Sequence, residues 1–95
     1  MPDIQPLHTT IEKTTRTMMG TIVLEDPRDF PREESNLYCV GFEGDMVWQA
    51  EKPEPGGLYN RVMLNGDNLA AYAITGQACE IELISGKLLS QVKIK

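Results

Sequence analysis

The sequence predicts an all-β protein: a single antiparallel meander of six to seven strands that forms a blade-like sheet or a small sandwich. From residue 36 onward, glycines recur between short apolar runs, as turn residues do in hairpins. These glycines are Gly44, Gly66, Gly76 and Gly86. The runs between them alternate apolar and polar side chains, which is the period of a strand with one buried face. The 95 residues, 41% of them hydrophobic, fit one domain, 1–95.

The N-terminal segment, 1–35, is the less regular part of this domain. Its threonines favour strand, and we expect one strand over 16–24, whose apolar side chains would cover the sheet that follows. Two prolines and seven charged residues in 25–34 indicate a solvated connection.

The blade-like region, 36–95, is predicted to contain six strands. They are expected at 36–42, 46–51, 59–64, 68–74, 77–84 and 87–94. Residues 52–58 should form an exposed loop, because their prolines and glycines would interrupt any strand. The run 69–74 is apolar on both faces, so its strand should lie centrally, covered from both sides.

Alternation also predicts the register of the last hairpin. A two-residue turn at Ser85 and Gly86 would pair Leu83 with Leu88 on the core side. The same register would pair Cys79 with Val92.

The charge balance narrows the classes of partner. The net charge of −5, with no cluster of basic residues, disfavours nucleic-acid binding and would steer a basic partner toward the protein. No apolar stretch approaches the length that spans a membrane, and no secretion signal is recognisable, so we expect a cytoplasmic protein that does not bind membranes.

Catalytic and metal-binding chemistry is not predicted. Cys39 and Cys79 lie in apolar runs without the paired spacing of a zinc site, and we interpret them as buried thiols. The single imidazole, His8, lies near the terminus, where a surface role is the common one. We therefore predict no cofactor and no catalytic residue, with an accessory enzyme using Cys39 or Cys79 as the least favoured alternative.

Five residues are candidates for a binding surface. Trp48 is a side chain of the type that anchors interfaces, and the others surround it in sequence: Glu51, Glu54, Tyr59 and Arg61. The competing interpretation places Trp48 in the core and treats the carboxylates as an ordinary solvated face.

The sequence also repeats internally. Sliding it by 42 residues superimposes 37–49 on 79–91, so that Gly44 meets Gly86 and Met46 meets Leu88. The segments 37–48 and 78–89 resemble the pyrroloquinoline-quinone-type β-propeller repeat, in which a strand is followed by a glycine and then a tryptophan. Trp48 matches that tryptophan and Ser90 departs from it.

The resemblance covers 36–95, about one and a half blades, whereas a propeller needs at least about four. It therefore implies a fold and not a quinone cofactor or an activity. The chain is also similar to small free-standing bacterial blade-like proteins of unknown function.

These observations lead to two functional hypotheses. The first is a small acidic, non-enzymatic protein-interaction module, such as an immunity or antitoxin-type binder of a basic partner. The alternative is a small-molecule-binding β domain lined by the strand 69–74. Free sheet edges and uncovered apolar faces further predict a homodimer.

Overall fold

The computed structural model describes residues 4–94, and every regular element in that range is a β-strand. The strands are β1 (Ile11–Thr17), β2 (Gly20–Glu25), β3 (Leu37–Val40), β4 (Met46–Gln49), β5 (Tyr59–Asn65), β6 (Asn68–Ala73), β7 (Gln77–Ile81) and β8 (Leu88–Lys93). They form two four-stranded antiparallel sheets, β1 to β4 and β5 to β8, each in chain order. The all-β class is confirmed, but the single meander of six to seven strands is wrong. The loop rich in proline and glycine at 52–58 separates two sheets.

The N-terminal segment contains a hairpin, so the prediction of one strand over 16–24 is wrong. The chain reverses at Met18 and Met19, and Thr17 pairs with Gly20. Gly20 has a φ of 127°, and a Cβ at this position would lie 2.2 Å from the carbonyl oxygen of Val40. Only glycine permits both that backbone conformation and that approach to β3.

The six strands predicted after residue 36 are all present, and the largest difference is at β7, which ends at Ile81 rather than at 84. The four turn glycines all have positive φ, between 63° at Gly66 and 98° at Gly76. The expected roles of these glycines as turn residues are therefore confirmed.

The predicted register of the last hairpin is wrong. Ile81 pairs with Leu88 and Cys79 pairs with Gln91, while Val92 is exposed. The turn is wider than two residues: the Glu82 N–H donates to the Lys87 carbonyl at 2.8 Å. Leu83 lies in this turn, beyond the end of β7, and its side chain packs in the core.

The two sheets share one pairing scheme. The pair Ile11 and Glu25 in the first sheet corresponds to Tyr59 and Ala73 in the second, an offset of 48, and both ladders then skip one residue. The offset is 42 between β4 and β8, as the sequence repeat predicts, but 41 between β3 and β7. The turn between β7 and β8 therefore contains one residue more than the turn between β3 and β4.

Side chains alternate between the two faces of each sheet, and we call the equivalent faces of the two sheets front and back. The front face of the first sheet carries two cross-strand rows: Lys13, Leu24, Leu37 and Ala50, then Thr15, Ile22, Cys39 and Trp48. Six of these eight side chains belong to the hydrophobic core. They pack there with the back face of the second sheet, which includes Leu69, Ala71, Cys79 and Ile81.

The equivalents of those four residues in the first sheet are Thr21, Val23, Tyr38 and Val40, on its back face. The two sheets are therefore stacked head to tail, the front of one on the back of the next. Such a contact joins two different surfaces and can in principle be repeated.

Asn36 fastens the two sheets at one end of this interface. Its side-chain amide donates to the carbonyl oxygens of Glu25 and Tyr59, both at 2.6 Å. Its side-chain oxygen accepts the Tyr59 N–H at 2.8 Å. Because Asn36 is fully buried, these three bonds satisfy groups that water cannot reach.

Candidate functional site

The front face of the second sheet lies at the surface of the described chain. Its two cross-strand rows are Arg61, Tyr72, Ala78 and Val92, then Met63, Ala70, Glu80 and Ser90. We call these eight residues the open face. Val92 is 62% exposed and Met63 is 41% exposed. The five apolar members therefore form a surface where the equivalent positions of the first sheet form a core.

The residue equivalent to Arg61 in the first sheet contacts the second sheet. It is Lys13, whose ammonium group donates to the carbonyl oxygen of Val62 in the second sheet at 2.7 Å. A cation at this position thus bridges the existing sheet-to-sheet contact. Arg61 itself is exposed.

The back face of the first sheet is crossed by an N-terminal strap, residues 4–9. The Glu25 carboxylate accepts hydrogen bonds from the backbone N–H groups of Leu7 at 2.5 Å, His8 at 3.1 Å and Thr9 at 2.8 Å. It also accepts one from the Tyr38 hydroxyl. The buried carboxylate of Glu25 is therefore the main attachment of the strap, and the Thr9 hydroxyl adds a bond to the Asp26 carbonyl at 2.7 Å.

These contacts set the protonation of the pair. Burial raises the pKa of Glu25, but the bonds from Tyr38 and from the three strap N–H groups outweigh it, so the net pKa is below the ordinary value of 4.5. Burial and the neighbouring carboxylate raise the pKa of Tyr38. Glu25 is consequently ionised and Tyr38 neutral at neutral pH, which is the pairing that holds the strap.

A pocket of about 310 Å³ lies between the strap and the turn that joins β3 to β4. Its lining is mainly apolar: Ile4, Gln5, Leu7, Thr21, Tyr38, Val40, Gly41, Phe42, Gly44 and Met46. Phe42 and Met46 at its rim are 55% and 43% exposed. The volume is at the lower end of the range typical of small-ligand pockets.

Trp48, the first of the predicted binding residues, lies in the core. Its indole N–H donates to the Leu83 carbonyl at 2.9 Å, and its ring lies against Gly86. Tyr59 is also fully buried, and its hydroxyl donates to the Glu51 carbonyl at 2.5 Å. Both aromatic side chains join the two sheets to each other.

The three charged candidates are exposed but do not share one surface. Glu51 and Glu54 line a shallow groove together with Arg32 and Lys52, so that groove carries both signs of charge. Arg61 lines a different surface pocket. The acidic surface for a basic partner stays a prediction.

The strand 69–74 is the predicted lining of a small-molecule site. Leu69, Ala71 and Ala73 pack in the core, and Ile74 lines two surface pockets beside the 27–30 loop. The small-molecule hypothesis stays a prediction.

Cys39 and Cys79 are confirmed as buried free thiols. Burial raises the pKa of both, which disfavours the reactive thiolate. His8 lies at the surface, with its ring nitrogen 3.1 Å from the Glu34 carboxylate and its ring edge-on to Phe30. In residues 4–94, no group of three or more potential ligands is placed to hold a metal ion.

No protein-family model, curated protein or solved structure matches the chain. Among the described residues, no helix is long and apolar enough to cross a membrane.

Proposed function

We propose that this protein is a non-enzymatic protein-interaction module that pairs with a second copy of itself through the open face. One observation carries the proposal. The open face occupies the same positions as the front face of the first sheet, and that front face is buried against another sheet in this molecule. A surface with the same arrangement, which carries apolar Met63, Tyr72 and Val92, is suited to packing against a further β-sheet.

The position of the strap favours a dimer in which the two copies pair front to front. Head-to-tail stacking of another copy would require its first sheet to offer a free back face, but residues 4–9 cross that face and are held by Glu25. The strap therefore acts as a cap, as terminal repeats do in repeat proteins. Two open faces can still meet around a two-fold axis, which closes the assembly at two chains.

Charge on the open face favours the same arrangement. The whole chain carries −5, which opposes self-association. The open face, however, has one cation, Arg61, and one carboxylate, Glu80, so its own formal charge is zero. Two copies can thus meet at this face without adding repulsion there.

A matched pair of variants tests the proposal. Val92→Asp adds a charge to the open face on its edge strand, β8, and should convert a dimer to monomer in light scattering behind size-exclusion chromatography. Met18→Asp changes a methionine that is 80% exposed in the β1–β2 turn and should leave the dimer intact. A monomeric parent protein, or equal masses for the two variants, would overturn the proposal.

A further inference from the structure

Trp48 occupies a well-defined socket on the back face of the second sheet. Its ring lies so close to Gly86 that a Cβ there would be 2.6 Å from two ring carbons. The Leu83 carbonyl accepts the indole N–H, and Ile81 and Leu88 pack in the same cluster. The socket thus consists of a glycine in a turn, the carbonyl three residues before it, and apolar side chains on the flanking strands.

The same positions exist on the back face of the first sheet. Gly44 corresponds to Gly86, and both have positive φ, 92° and 75°. Val40 corresponds to Ile81, and Met46 corresponds to Leu88. These three equivalents all line the 310 Å³ pocket beside the strap.

We infer that this pocket is a second aromatic socket, which binds the indole of a tryptophan presented by a different protein. The strap supplies the wall that the first sheet lacks, through Ile4 and Leu7. Gly44 lines the pocket without a Cβ, as Gly86 lies without one against Trp48. Phe42 stands at the rim, in the place of Leu83, where an exposed ring can contact the guest edge-on.

The guest must come from another kind of chain. This sequence contains one tryptophan, and it fills the socket of its own second sheet. A second copy stacked on the pocket would present Ser90, the equivalent of Trp48, which cannot fill it. The inference is independent of the proposed dimer, because the pocket and the open face belong to different sheets.

The probe is N-acetyl-tryptophanamide, titrated into the isotope-labelled protein and followed by the amide signals in two-dimensional NMR. We expect saturable shifts at Val40, Gly44 and Met46, and none at Tyr72 or Val92 on the open face. N-acetyl-leucinamide, titrated in parallel, should shift the same signals more weakly, because it lacks the ring and the N–H donor.

Phe42→Ala should weaken the binding of the probe about 2- to 10-fold, the range that corresponds to one aromatic pair. Ile84→Ala is the matched control, since Ile84 is an exposed side chain in the equivalent turn of the second sheet. It should leave the affinity unchanged. Shifts that do not saturate, that centre on the open face, or that respond equally to both variants would overturn the inference.

Discussion

The two sheets share a pairing scheme down to their bulges, yet every residue of β2 is buried while β6 buries alternate residues only. The difference comes from what lies over each sheet. The first sheet is covered by the second on its front and by the strap on its back, whereas the second sheet is covered on its back alone. The same pairing scheme therefore carries a front face that is buried in the first sheet and exposed in the second.

Side chains follow this division. Trp48 and Ser90 are equivalent, and so are Cys39 and Glu80. The buried member of each pair is apolar and the surface member is polar. The open face nevertheless keeps apolar Tyr72 and Val92 at the positions equivalent to Leu24 and Ala50, which are buried in the first sheet.

The largest expected effect is a difference in stability between variants at the equivalent positions Trp48 and Ser90. Trp48→Ala should destabilise the protein by about 3–5 kcal/mol, because it opens a cavity between the sheets and leaves the Leu83 carbonyl without its donor. Ser90→Ala, at the equivalent exposed position, should change stability by less than about 0.5 kcal/mol. Chemical denaturation of both variants measures the difference, and similar costs would show that the equivalence is wrong.

A pair of glycines sharpens the comparison. Gly86→Ala should cost about 2–5 kcal/mol, since it combines a strained positive φ with a clash against the Trp48 ring. Gly66→Ala has a positive φ of 63° with nothing within 4 Å of its Cβ, so it should cost about 1–2 kcal/mol. Unfolding midpoints in urea would rank them. Equal midpoints would mean that Trp48 does not press on the turn.

The smallest effect concerns the strap. The pKa of Glu25 is lowered in the folded protein, so its contribution to stability is present above the ordinary value of 4.5 and is lost as the pH falls through the folded pKa. Glu25→Gln should be less stable than the parent at about pH 6 and approach it at about pH 3. Denaturation at both pH values tests this expectation. A gap that stays constant would contradict the proposed role of the ionised carboxylate.

The sequence revealed most of the strands but fewer of the contacts between them. Alternation and the turn glycines located β3 to β8, because these signals are local. The break between two sheets was not visible, since the loop at 52–58 is compatible with either one sheet or two. Gly20 was the missed signal: a lone glycine within the predicted strand 16–24 marks a turn or a close approach, and here it marks both.

The repeat was visible, but its consequence was not. An offset of 42 residues correctly aligned β4 with β8, yet it placed β3 one residue out of register with β7. The face of Val92 was missed for a different reason: the predicted two-residue turn at Ser85 and Gly86 omitted the register shift between Glu80 and Ile81, which exchanges the faces of β8 beyond it. The roles of Glu25, Asn36 and the strap depend on long-range hydrogen bonds, which no local pattern encodes.

Sedimentation equilibrium of the unaltered protein, over a range of micromolar concentrations, tests the central claim most directly. If the open face pairs with the open face of a second copy, the mass should reach twice the 10.6 kDa of the chain and stop there, because the strap caps the other face. A single species at the mass of one chain would contradict self-pairing. Masses that keep rising with concentration would contradict the capping role of the strap.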